Sequence, residues 1–82
     1  MSSEHEVLCP VPGTFYRRPS PDAAPYVELG AAVNEGDVIG LVEVMKQFSE
    51  VTADCGGTVV RFLADNEAPV EAGQPLLVVR RA

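Results

Sequence analysis

Lys46 is the only lysine in a chain that carries five arginines, at Arg17, Arg18, Arg61, Arg80 and Arg81. A single amine near mid-sequence is what a protein would keep if one lysine had to be the modified residue. It is also what chance leaves in a short chain, and lysines are common in exposed turns. A free lysine has a pKa near ~10.4, so at neutral pH it is mostly an ammonium and a poor nucleophile. The other reactive groups form weaker patterns. Cys9 and Cys55 make no C-x-x-C pair, and four-ligand zinc sites need Cys or His in clusters, for which His5 is the only further candidate, so no metal site and two reduced thiols are expected. Glu43 and Glu50 are near enough in sequence to suggest a general acid/base pair. Solvated strand-edge carboxylates are commoner, and no catalytic residue is expected.

The elements that must position Lys46 are short. No window sustains a helical apolar period, and seven prolines and seven glycines punctuate the chain. The apolar segments are β-branched and brief: 6–9, 14–16, 38–44, 48–52, 58–63 and 76–79. Turn chemistry separates them at 34–37, 54–57, 64–67 and 71–74, which indicates an all-β sandwich or barrel. Gly36, Gly57 and Gly73 fall at repeated positions where positive φ or a close backbone approach is expected. Phe15, Tyr16, Phe48 and Phe62 are expected to fill or cover the core.

An internal repeat sharpens this reading. The stretch Val33–Val42 aligns with Val70–Val79 at an offset of 37, and Pro12–Arg17 aligns with Gly56–Arg61 at an offset of 44. Two similar halves of four strands each, related by a quasi-twofold, follow. The offsets differ by 44 − 37 = 7, so the first half carries about seven extra residues within positions 18–26. This stretch holds Pro19, Pro21 and Pro25 and cannot lie in a central strand. It is expected to protrude as an ordered loop, with Tyr26 anchoring its exit. The last strand of the first half ends near Val44, which puts Met45 and Lys46 at a hairpin tip.

Composition sets the outer limits. Eighty-two residues allow one domain with a thin core, spanning 1–82. The net charge of −6 argues against attachment to nucleic acid or anionic lipid by bulk charge. No apolar run approaches a membrane span, and the first residues do not resemble a secretory signal, so a cytoplasmic protein is expected.

The segment Val42-Glu43-Val44-Met45-Lys46-Gln47 resembles the biotin attachment motif, which reads Glu-Ala-Met-Lys-Met in biotin carboxyl carrier proteins and biotinyl domains. The wider frame also matches: Pro12-Gly13-Thr14, Val33-x-x-Gly36-Asp37, Ala53-x-x-Gly56-Gly57-Thr58 and Val70-x-x-Gly73-Gln74-Pro75-Leu76. The stretch Gly13–Arg17 followed by Pro19-Ser20-Pro21-Asp22-Ala23 is similar to the "thumb" of the acetyl-CoA carboxylase carrier subunit, a loop that other biotinyl domains lack. Two positions depart from the motif. Val44 replaces Ala, adding bulk beside the modified residue, and Gln47 replaces a second Met, removing a soft apolar flank.

The resemblance implies a flattened barrel of two four-stranded antiparallel sheets, with biotin joined to Lys46 on the hairpin and Glu43, Val44, Met45 and Gln47 as its recognition flank. It implies a non-catalytic carrier. Biotin protein ligase attaches the biotin, and biotin carboxylase loads it using bicarbonate and ATP. A carboxyltransferase then passes the carboxyl group to an acyl-CoA, acetyl-CoA giving malonyl-CoA for fatty acid biosynthesis. The thumb would lie over the biotin end of the domain. The alternatives are the carrier domain of another biotin-dependent acyl-CoA carboxylase, a lipoyl-type carrier and an unmodified binding module. Lipoyl domains usually place Asp before the lysine, where this chain has Met45.

Overall fold

A computed structural model describes residues 3–81. The chain forms eight strands: β1 (Ser3–Leu8), β2 (Gly13–Tyr16), β3 (Ala32–Val33), β4 (Val38–Val44), β5 (Gln47–Thr52), β6 (Gly57–Phe62), β7 (Ala68–Val70) and β8 (Pro75–Arg81). They build two four-stranded antiparallel sheets, in the orders β1-β8-β6-β3 and β5-β4-β2-β7. Adding four to each strand number, cyclically, turns the first order into the second. The quasi-twofold expected from the repeat is therefore a property of the topology.

The offsets read from the sequence recur in the strand bounds. β1 and β5, like β2 and β6, begin 44 residues apart, and β4 and β8 coincide at both ends at 37. The turns repeat as well. Gly36 N–H donates to Ala53 C=O and Gly73 N–H to Cys9 C=O, each at 2.8 Å, and both glycines have positive φ, 93° and 84°. Gly57 differs from that pair. It opens β6, where a carbonyl approaches too closely for any Cβ.

Alternation along the strands gives the core. Phe15, Ile39, Val42, Val59, Leu76, Leu77 and Val79 are fully buried between the sheets, joined by Val7, Val33, Val51 and Val70. Cys9 is buried and donates its S–H to Val11 C=O. Phe62 is half-buried against this core. Phe48 corrects the sequence reading, because it is 58% exposed. On β5, Val51 points inward, so the period of two turns Phe48 and Glu50 outward. Phe48 stands instead beside Tyr16 on the outer face, ring centroids 6.3 Å apart.

Candidate functional site: the β4–β5 tip and the loop beside it

Val44 pairs with Gln47, so Met45 and Lys46 are the whole connection between β4 and β5. Their φ angles are 51° and 67°. A two-residue hairpin loop with both central residues left-handed is a type I′ turn, the form that matches strand twist. Its usual occupants are Asn-Gly, because other residues meet their own Cβ there. Met45 is 92% exposed, and Lys46 is exposed. The amine thus stands on a tight projection that a second protein can engulf without disturbing either sheet. Val44 faces inward and packs on the core. Its extra bulk relative to Ala packs on the core on one side and lines a surface groove beside the tip on the other. Gln47 is exposed and lines a shallow groove with Val11, Pro12, Val44, Met45 and Ser49.

Glu43 lies on the outer face, opposite Phe48. Its carboxylate accepts a 3.0 Å hydrogen bond from the Tyr16 hydroxyl. That bond, together with partial burial and the negative charges of Glu43 and Glu67, holds the Tyr16 phenol above its ordinary pKa. The phenol therefore remains a donor at neutral pH. Glu43 is engaged with Tyr16, and Glu50 lies one outward position along, opposite Leu41. The two carboxylates form no acid/base pair with a pocket between them.

Between β2 and β3 the chain makes the expected excursion. Tyr26 N–H donates to Arg17 C=O at 2.9 Å and closes the base of the loop. The Tyr26 backbone is thus the anchor expected at the exit. Arg17 N–H donates to the Asn66 side-chain oxygen at 2.8 Å, and the Arg17 guanidinium lies 3.6 Å from the centre of the Phe62 ring, a cation–π contact. Ser20-Pro21-Asp22-Ala23 is a β-turn, with Ala23 N–H donating to Ser20 C=O at 3.1 Å. Pro19, Ser20 and Pro21 fold back over the outer face. With Arg18, Tyr16, Leu41, Phe48, Asn66 and Glu67 they enclose a cavity of about 310 Å³. Asp22 and Ala23 shape the turn but are not among the lining residues.

Of the residues singled out by sequence, Glu43, Val44, Met45, Lys46 and Gln47 gather at the tip. Pro19, Ser20 and Pro21 gather over the face one rung below it. Phe48 was read only as a core aromatic, and Leu41 and Asn66 were not singled out. The outward phase of β5 was the signal available for Phe48. Nothing in the local sequence marks Asn66 as the tie that holds Arg17. Among the described residues, three non-glycine positions have positive φ: Met45, Lys46 and Glu67, the last at 66°. Two form the tip and the third lines the cavity. Strain of this kind costs about 1–3 kcal/mol per residue and collects at functional sites.

Comparison with known proteins agrees with the geometry. A biotin/lipoyl family model, described as biotin-requiring enzyme, matches residues 5–79. The biotin carboxyl carrier protein of acetyl-CoA carboxylase from Nostoc is 41% identical over 75 residues, covering 92% of this chain and 41% of the relative. Its namesake from Pseudomonas aeruginosa is 42% identical over 73 residues, covering 89% of this chain and 47% of the relative. This chain thus spans less than half the length of either relative. A solved single-chain, multi-domain long-chain acyl-CoA carboxylase superposes with a TM-score of 0.79 at 25% identity, over 96% of this chain and 7% of that one.

Proposed function

The chain belongs to the biotin-requiring enzyme family of biotin and lipoyl attachment domains, and we propose that it is a biotin carboxyl carrier whose attachment residue is Lys46. One observation carries the reading: the sole lysine occupies a two-residue, left-handed turn at an exposed sheet tip. Biotin, once joined there by an amide, supplies a ureido nitrogen that accepts and releases a carboxyl group. The chain's own residues present and shelter it. The type I′ turn holds the stem rigid at its base. The cavity beneath Pro19–Pro21 begins at Phe48, which pairs with the residue two before Met45. At about 3.4 Å per residue along a strand, this lies within reach of a lysine stem and its appended arm. Its size is at the lower end of small-molecule sites, and its mix of Pro, Leu and Phe with Ser20, Asn66 and Arg18 suits a compact polar ring on an apolar chain.

The chain itself contributes no catalytic group in this reading. Biotin protein ligase modifies Lys46, biotin carboxylase loads the carrier, and a carboxyltransferase unloads it to an acyl-CoA, acetyl-CoA giving malonyl-CoA. Tethering raises the effective concentration of the carried group at each partner. The test is incubation with a biotin protein ligase, biotin and ATP, read by intact mass. The expected result is one biotinyl group and a formal net charge moving from −6 to −7. An unchanged mass overturns the reading, and lipoylation by a lipoate ligase instead would make the domain a lipoyl carrier.

The loop gives a separable prediction. Deleting seven residues from within 18–26 restores the short connection that the second half of the domain uses between β6 and β7. Loop closure depends weakly on length, so stability should change by only ~1 kcal/mol. The variant should accept biotin as before, yet support slower acyl-CoA carboxylation with its cognate subunits, because Leu41 and Phe48 lose their cover. A thermal melt run beside a coupled carboxylation assay decides. Wild-type turnover would make the loop a neutral insertion, and an unfolded variant would make it structural.

A further inference from the structure

The opposite end of β5 from Lys46 carries a second constellation. His5, on the inward-facing edge of β1, meets Asp54 and Cys55 in the connection from β5 to β6. His5 Nε2 lies 2.8 Å from Asp54 Oδ2, and one ligand atom from each of the three residues lies within 4.8 Å of the others. No spacing in the sequence signals the group, since 49 residues separate its two parts. From this juxtaposition we infer that His5, Asp54 and Cys55 form a binding site for a thiophilic divalent cation of the zinc class.

The ligand chemistry selects the ion. Imidazole, thiolate and carboxylate together favour zinc-like metals over magnesium or calcium. Zinc ligands at about 2.0–2.3 Å in a tetrahedron stand about 3.3–3.8 Å from one another. The His5–Asp54 spacing of 2.8 Å is just below that range and the others lie within 4.8 Å, so movements of about an ångström complete the site, and water takes the fourth position. The ligands sit on fixed backbone. His5 pairs with Val79, Cys55 packs on the core, and Gly57, two residues on, pairs with Val33. Binding breaks the Cys55 S–H bond, forms a sulfur–metal bond and releases the proton to solvent. Thiolate and Asp54 carboxylate then balance a doubly charged ion.

One neighbour opposes it. Arg81 Nη2 stands 3.4 Å from His5 Nδ1, an arrangement in which Arg81 donates and the imidazole proton is directed at Asp54. A metal on Nε2 moves that proton to Nδ1 and removes the acceptor, so Arg81, which is exposed, must swing aside. The quasi-twofold supplies an internal control. Positions 5, 54 and 55 correspond to Ser49, Pro10 and Val11 beside the β4–β5 tip, and Ser49 and Val11 do line one groove there. That end of the fold offers no imidazole, thiolate or carboxylate at these positions. The constellation therefore belongs to these three residues and not to the architecture. It lies beyond the end of β5 far from Lys46, a strand whose six residues span about 20 Å, and metal there would clasp β1 to the β5–β6 turn without touching the attachment residue.

The experiment is titration of reduced, tag-free protein with Co²⁺ and then Zn²⁺. The expected result is one equivalent bound, with a thiolate-to-cobalt charge-transfer band and tetrahedral d–d bands that Zn²⁺ abolishes. Loss of even an outer-shell partner costs about 10–100-fold in affinity, so Cys55→Ser and His5→Gln should each lose at least that, and Cys55→Ser should lose the charge-transfer band. Arg81→Gln should bind at least as tightly as the parent. Both ligand variants alter half-buried or surface positions, and their folding is checked by far-ultraviolet circular dichroism. A wild-type protein without the charge-transfer band overturns the inference. So does undiminished affinity in either ligand variant, or weaker binding in Arg81→Gln.

Discussion

Exchanging Met45-Lys46 for Asn-Gly is expected to make the domain more stable and at the same time useless as a carrier. Both residues of the turn are left-handed, at φ 51° and 67°. Each non-glycine residue held there costs about 1–3 kcal/mol, and Asn-Gly is the pair that occupies a type I′ turn with least strain. Relief of about 1–3 kcal/mol in total is expected. In a domain of this size that raises Tm by roughly 4–8 °C for each kcal/mol. The same exchange removes the only lysine, so ligase labelling should fall to nothing. Lys46→Arg separates the two effects. It keeps the left-handed backbone and the positive charge, so Tm should stay near the parent value, while labelling is again lost. Melts and intact masses of the three proteins decide the matter. Label on either variant overturns the assignment of Lys46. An Asn-Gly variant no more stable than the parent would show that the surrounding strands, and not the turn residues, set the hairpin.

The hairpin shows why the tip was legible before its geometry was. Its position followed from arithmetic: the apolar run to Val44 had a counterpart 37 residues later, and the next strand had to begin at once. Its conformation did not follow, because Met-Lys carries none of the local chemistry that advertises a type I′ turn. Local propensity and fold disagree at this point, as is expected where backbone geometry serves a purpose other than stability. Six of the eight strands were readable as apolar runs. β3 and β7 were not, having two and three residues. So short a strand has no period of its own and exists because a neighbour supplies its hydrogen bonds.

The loop was legible in length and not in contacts. Its seven extra residues emerged from the mismatch of two offsets. Its seat against Tyr16, Leu41 and Phe48 depends on which face of β5 turns outward, and on an Asn66 side chain that reaches across from the other half to hold Arg17. Both are relations between distant segments. The grouping of His5 with Asp54 and Cys55 is of the same kind, since it exists only once β1 and the β5–β6 turn meet.

Gly57→Ala is expected to be strongly destabilising, and to be matched by Gly13→Ala, because at both sites the new Cβ runs into the backbone of a paired strand. A Cβ at Gly57 would overlap the Arg80 carbonyl oxygen and lie 2.8 Å from its carbon and 2.9 Å from Val79 Cγ1. A Cβ at Gly13 would overlap the Glu43 carbonyl oxygen and lie 2.9 Å from Val42 Cγ1. The two sites are related by the quasi-twofold, at offsets of 44 for the glycines and 37 for the carbonyls. Each opens a strand that pairs antiparallel beside the C-terminal end of its neighbour, β6 beside β8 and β2 beside β4. Because the obstruction is backbone within a hydrogen-bonded sheet, no rotamer change relieves it. The strands must part, at a cost of about 3 kcal/mol or more. Against a total near 4–12 kcal/mol for a chain of this length, that is enough to populate unfolded protein. Gly73→Ala is the comparison, since nothing lies within 4 Å of its Cβ position and only its φ of 84° opposes the change. It should lose about 1 kcal/mol. Urea unfolding of the three variants reads the difference directly. Near-equal losses at Gly13 and Gly57, both well above that at Gly73, are what close backbone approach at symmetry-related strand pairs requires. A loss at Gly57 no larger than at Gly73 would mean that the β6–β8 contact yields, and that the positive φ of Gly57 alone explains the glycine there.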